Sequence, residues 1–167
     1  MIGGILCNTL RNGQHASDQL FISEADESDG SFLNLEGDIG VLTNLELDHV
    51  DHWKTLRSLY EGCTQFASQF SEGKLFYCAD DPNLNALSLQ GINYGKSPDA
   101  KVRILNHREA QGKAFATFSF DRKSIQELQL PMLGYHQALN ATGCLAVALS
   151  LGLSIEEIQA QWLKFKG

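Results

Sequence analysis

The sequence predicts an α/β fold: a mostly parallel sheet with crossover helices, plus a small antiparallel sheet around residues 101–131. Three observations carry that expectation. Short apolar runs alternate with helical periodicity in the first half, as they do where helices join parallel strands. The segment HWKTLRSLYEGCTQFASQF (52–70) places its apolar residues on one helical face. AFATFSF (114–120) alternates large and small residues with period two, the pattern of an antiparallel strand with one solvated face. The 167 residues suffice for one domain with a substantial core.

The elements follow in order. QLFIS (19–23) and IGVLT (39–43) read as strands buried on both faces, and KLFYCA (74–79) and residues 91–94 as two more. The helix after IGVLT rests on Trp53, Leu56, Leu59, Tyr60, Cys63, Phe66, Ala67 and Phe70, whose steps are threes and ones. Asp81-Pro82 reads as an N-cap followed by proline in the first turn. After Pro98 the runs 102–105, 114–120 and 125–130 are separated by polar turns and read as a meander. A helix rich in alanine and leucine begins after Gly134 and ends at Gly152. Ser154 and Glu157 have capping-box spacing, and the helix they open should bury Ile155, Ile158, Trp162 and Phe165. There is no internal repeat and no low-complexity linker.

Composition narrows the function. The chain is 43% hydrophobic and 20% charged, which is ordinary for a globular protein. Its net charge of −7 argues against non-specific nucleic-acid binding, which depends on basic residues. An anionic ligand remains open, because backbone N–H groups and Mg²⁺ hold phosphate without net positive charge. No apolar run reaches membrane-spanning length, and MIGGILCNTLRNG lacks the basic start of a signal peptide. Cys7, Cys63, Cys78 and Cys144 form no CxxC pair, so reduced thiols and a cytoplasmic location are expected.

Chemistry concentrates in two acidic clusters. EADESD begins at Glu24, after QLFIS, and LELDHVDH follows IGVLT. In a parallel sheet, ligands bind beyond the carboxyl ends of the strands. If the two strands are neighbours, Glu24 and the Asp48-His49 pair meet in one crevice. Mg²⁺ needs few protein ligands, because it keeps waters and substrate phosphate oxygens. The other reading is local: Asp48 or Asp51 caps the helix at Trp53. Zinc is disfavoured, since no cysteine is near and HVDH offers no third ligand. The sequence contains neither GxxxxGK[ST] nor GxGxxG.

EADESDGSF (24–32), TNLELDHVDHW (43–53), DDP (80–82), GYHQALNATGCLAVA (134–148) and WLKFKG (162–167) together resemble the Mur ligases, in the family's order and approximate spacing. The resemblance covers almost the whole chain. It implies ATP-dependent amide formation, in which ATP phosphorylates the carboxylate of UDP-N-acetylmuramate and L-alanine attacks the acyl phosphate. Glu24 matches a strand-end Mg²⁺ ligand, and His49 a catalytic histidine that holds a second Mg²⁺ near the transferring phosphate. Asn140 matches an adenine contact; from the residues alone it is equally a helix-surface residue. Gln137 stands where the family has asparagine, and His136 could simply cap its helix. The family's carbamylated lysine is not carried over, because Lys54 lies too early and Cys63-Thr64 occupies the later position.

The resemblance further implies that residues 1–167 form part of a central ATP-binding domain. The phosphate loop, the N-terminal UDP-binding domain and the C-terminal amino-acid domain are then absent. Such a piece is expected to be inactive alone, with a sheet edge that favours self-association. Two alternatives stay open: a ligase that attaches a ready-made tripeptide to the same sugar nucleotide, and a non-catalytic scaffold. EADESD argues against a folylpolyglutamate synthase.

Overall fold

The computed structural model describes residue 13 and residues 19–165, so the expectations for Cys7 and the first residues lie outside it. A 3₁₀ turn, Ser31–Asn34, precedes β1 (Gly40–Leu42). There follow α1 (Leu56–Ala67), β2 (Leu75–Cys78), α2 (Pro82–Ala86) and β3 (Ile92–Gly95). β4 (Val102–Ala110), β5 (Lys113–Phe120) and β6 (Lys123–Gln129) come next, then α3 (Tyr135–Ser150) and α4 (Ile155–Trp162). The six strands form one sheet in the order β1-β2-β3-β4-β5-β6. β1 to β4 are parallel, and β4 to β6 antiparallel. The antiparallel part is thus continuous with the parallel part, joined where Tyr94 pairs with Val102. Among the described residues no helix is long and apolar enough to cross a membrane.

Local chemistry sets the helix ends. α1 starts at a reciprocal capping box: Thr55 Oγ1 accepts from the Ser58 N–H at 3.1 Å, and Ser58 Oγ from the Thr55 N–H at 3.3 Å. The cap is therefore neither Asp48 nor Asp51, and the helix begins three residues after Trp53. Asp81 caps α2 by accepting from the Leu84 N–H at 2.7 Å, with Pro82 in the first turn. Ser154 and Glu157 make their capping box at α4. α3 ends in a Schellman motif: the Leu153 N–H reaches the Ala148 carbonyl at 3.1 Å, and the Gly152 N–H the Leu149 carbonyl at 3.0 Å. Gly152 supplies the left-handed turn, with φ +86°.

QLFIS departs from expectation. It forms no strand, and Leu20, Phe21 and Ile22 are exposed, Phe21 by 80%. A strand exists only where a neighbour completes its ladder. Among the described residues β1 is the edge of the sheet, and QLFIS does not pair with it. On α4, Ile158 is buried as expected and Ile155 and Trp162 are half-buried, but Phe165 lies past the end of the helix and is exposed.

α3 lies across β2, β3 and β4. Its buried face is small: Ala138, Ala141, Thr142, Gly143 and Ala146, with Leu145. That lets the helix approach the fully buried Tyr94, whose hydroxyl donates to the Leu42 carbonyl at 3.2 Å. A Cβ on Gly143 would lie 2.8 Å from Tyr94 Cζ. On β5 the inward residues are Ala114, Ala116 and Phe118. Phe115 instead carries the Arg108 guanidinium 4.2 Å above its ring, and Arg108 pairs with Glu127.

Two outcomes follow from this packing. Gly143→Ala overpacks against Tyr94 at about 1–3 kcal/mol, which outweighs a helix-propensity gain of up to about 1 kcal/mol. A lower urea midpoint with unchanged m-value is expected. Cys63 is pushed up to about 11 by burial, with the Asp81 charge a smaller cause, and burial also raises Cys78. At pH 8 only roughly one Cys63 thiol in a thousand is thiolate. Iodoacetamide should therefore label Cys63 and Cys78 only after denaturant is added, as read by mass spectrometry.

Candidate functional site

Two loops meet beyond the carboxyl end of β1. In the first, Asp26 Oδ1 accepts from the Ser28 N–H at 2.9 Å, and Asp29 Oδ1 from the Ser31 N–H at 2.8 Å. These Asx turns give the acidic stretch a fixed shape. Hydrogen bonds from Ser28 hold Asp26 below the usual carboxylate range, with a smaller contribution from the nearby His49. Ser31 does the same for Asp29, where His52 is the nearby imidazole. The acidic loop and the DH loop therefore face each other.

The second loop is fastened to the first by Trp53. Its Nε1–H donates to the Glu27 carbonyl at 2.6 Å. The indole packs on Phe32 at 6.1 Å and covers Gly62, where a Cβ would lie 2.5 Å from the ring. His52 stands edge-on to Trp53 at 4.6 Å, with its Nε2 only 2.6 Å from where a Cβ on Gly30 would be. Gly30 has φ +73°, so glycine suits both the turn and the approach. His52 is thus part of the fastening.

His49 is built differently. It adopts φ +52°, a left-handed conformation uncommon for a residue with a side chain. Its N–H donates to Asp48 Oδ1 at 2.8 Å, and its carbonyl accepts from the N–H groups of His52 and Trp53 at 2.9 and 3.0 Å. The turn presents the His49 side chain to solvent. Such backbone strain clusters at functional sites. Glu24, also exposed, lies at the start of the facing loop.

Farther along the same sheet edge, the Asp80 carboxylate collects donors. It accepts from the Lys96 N–H at 2.7 Å, the Ser97 N–H at 2.9 Å and the Tyr135 hydroxyl at 3.3 Å. Burial, then the Asp80 charge, pushes Tyr135 up to about 12. Glu109 Oε1 accepts from the Gly134 N–H at 2.7 Å. His107 meets Tyr135 edge-on at 5.8 Å, its Nε2 buried without a hydrogen-bond partner and 3.8 Å from Glu109 Oε1. The start of α3 is therefore gripped from β2 and β4. Its N-cap is Gly134, at φ +97° and without a side-chain bond, so His136 does not cap it. Gln137 is half-buried and Asn140 exposed, three positions apart on one side of α3.

Among the described residues no three His, Cys, Asp or Glu side chains converge into a metal cage. Glu24 and His49, both exposed on the two loops, could each give Mg²⁺ one ligand, the rest of its shell coming from water and phosphate. The structure brings the two acidic loops together and places Gln137 and Asn140 on a separate element. Trp53, Asp80, Glu109 and Tyr135 are the residues that sequence reasoning missed as site builders. The signal for Asp80 was present in DDP, where the second aspartate alone accounts for the cap.

Comparison with known proteins agrees with this architecture. The family model for the Mur ligase middle domain matches residues 6–148. The UDP-N-acetylmuramate–L-alanine ligase of Renibacterium salmoninarum is 36% identical over 99% of this chain and 37% of its own length. That of Desulforamulus reducens is 35% identical over 100% of this chain and 37% of its own. The chain thus spans little more than a third of these relatives. Among solved structures, the UDP-N-acetylmuramate-alanine ligase of Thermotoga maritima superposes with TM-score 0.74 at 20% identity, over 85% of this chain and 32% of that one. The UDP-N-acetylmuramate:L-alanyl-gamma-D-glutamyl-meso-diaminopimelate ligase of Neisseria meningitides gives 0.77 at 19%, over 99% and 56%. At such identities the structural likeness speaks for the fold, while the sequence matches speak for descent: the chain belongs to the Mur ligase family and carries its middle domain.

Proposed function

We propose that this chain works as the ATP-binding middle domain of a cytoplasmic amide ligase that joins L-alanine to UDP-N-acetylmuramate in peptidoglycan precursor synthesis. The observation that carries the reading is the meeting of the acidic and DH loops, fastened through Trp53 and Glu27, beyond the end of β1. In this reading the UDP-sugar and amino-acid domains belong to other parts of a longer protein. The sequence holds no GxxxxGK[ST], so the donors that cradle the phosphates also come from outside these 167 residues.

The chemistry is a transfer of the γ-phosphoryl group of ATP to the muramoyl carboxylate. The alanine amine then attacks the acyl carbon, and phosphate leaves. Such transfer is mostly positioning and charge neutralisation. Mg²⁺, when bound, would neutralise charge on the phosphate oxygens; Glu24 would hold one ion and His49 a second. The strained turn at His49 fixes where the imidazole is offered. Asn140 and Gln137 would contact the adenine from α3, which Asp80 and Glu109 hold in place.

The test places residues 1–167 between the flanking segments of the Renibacterium relative and follows ADP release. Release that depends on both UDP-N-acetylmuramate and L-alanine is expected. A preference for a tripeptide acceptor would instead assign the recycling reaction, and no ligation with either would end the proposal. His49→Asn keeps a residue that tolerates the left-handed turn but removes the imidazole. It should lower kcat by about 10²-fold or more, with the melting temperature nearly unchanged. Unchanged turnover would remove His49 from the mechanism. The 167-residue chain alone should release no ADP above background.

A further inference from the structure

Past Leu42 the ladder of β1 ends, yet the loop that leads to His49 is not left to itself. Leu45 is buried to 7% exposure between the exposed Asn44 and Glu46. Both of its peptide groups are bound by side chains of α2 and its N-cap. The Leu45 N–H donates to Asp81 Oδ2 at 3.3 Å, and the Leu45 carbonyl accepts from Asn83 Nδ2 at 2.6 Å. Asn83 is itself oriented from α1, because Tyr60 donates its hydroxyl proton to Asn83 Oδ1 at 2.7 Å. The second Asp81 oxygen is occupied by the α2 cap.

We propose that Tyr60, Asn83 and Asp81 are positioning residues that fix the 43–49 loop, and through it the His49 side chain, for phosphoryl transfer. The proposal rests on the role given to His49 above. The chemistry of the three side chains matches the task. Asn83 must donate to one partner and accept from another, which an amide does and a carboxylate cannot. Tyr60 selects which end of that amide faces Leu45. Asp81 joins the loop to a helix cap, so the loop inherits the rigidity of α2. With Leu45 pinned, the extended backbone directs the side chains of Asn44 and Glu46 away from the core, and His49 begins its turn from a fixed point. None of the three reaches the site itself. A displacement of about 1 Å at a transferring group can cost about a hundredfold in rate, so such an outlying clamp matters to turnover.

Two conservative variants, Tyr60→Phe and Asn83→Asp, test this in two settings. In the 167-residue chain, NMR follows the Leu45 amide and the ring signals of His49. His52 serves as the control, because it is held by Gly30 and Trp53 and not by the clamp. Leu45 amide exchange should quicken at least about tenfold, and the His49 signals should shift while those of His52 stay. In the assembled ligase, kcat should fall about tenfold or more with KM for ATP within about twofold. A freed Leu45 amide with unmoved His49 signals would reduce the network to a purely structural role and overturn the proposal. So would an unchanged Leu45 amide, or a retained kcat. Should Asn83→Asp not fold, Tyr60→Phe alone decides, since it removes one hydroxyl. If the assembled wild type ligates nothing, the functional reading fails, and the NMR comparison alone decides the clamp.

Discussion

The hydrogen bond from the Trp53 indole to the Glu27 carbonyl joins two loops that the chain builds 26 positions apart. The pairing of the acidic loop with the DH loop depends on it. The bond fixes the acidic loop against the DH loop, and the indole needs a bare Gly62 on α1 to lie flat enough to make it. His52 then fills the space above Gly30. Two neighbouring residues of one motif therefore divide the work. His52 and Trp53 close the structure, and His49, three residues earlier, is left facing outward on a strained turn.

The α3 side of the sheet depends on size. α3 can approach β3 closely because its inner face is alanine, glycine and threonine, with the Thr142 hydroxyl turned back to the Ala138 carbonyl at 2.7 Å. A bulkier face would lift the helix and carry Gln137 and Asn140 away from the sheet edge. Asp80 and Glu109 then set the start of the helix, one from the parallel part of the sheet and one from the antiparallel part. The meander β4–β6 thus helps to place the helix that carries Gln137 and Asn140.

Much of the fold is legible in the sequence because its signals are local. Asp81-Pro82, the Ser154 and Glu157 pair, Gly152 and the three-residue apolar spacing of α1 each need only a few neighbours to act. QLFIS is the opposite case. Its residues favour a strand, but a strand is decided by a ladder, and the described part of the sheet includes none through QLFIS. Trp53 fits the apolar period of α1 yet stays outside the helix, because a carbonyl in another loop holds its indole. For the site, EADESD and LELDHVDH announce themselves by composition. Asp80 and Tyr135 do not, since their contact spans 55 positions and only the folded chain brings them together.

The grip on Asp80 has a consequence for orientation. Consecutive backbone N–H groups at Lys96 and Ser97 form an anion-binding concavity of the kind that elsewhere receives phosphate. Here a carboxylate of the chain itself already occupies it, and Gly95 has no Cβ that would push that carboxylate out. The concavity at the end of β3 is thereby closed to a second anion. In the reading proposed above, a nucleotide lying along this edge would keep its charged tail away from Asp80, on the β1 side. An internal aspartate, by standing in for a phosphate, would then set which way round such a ligand lies.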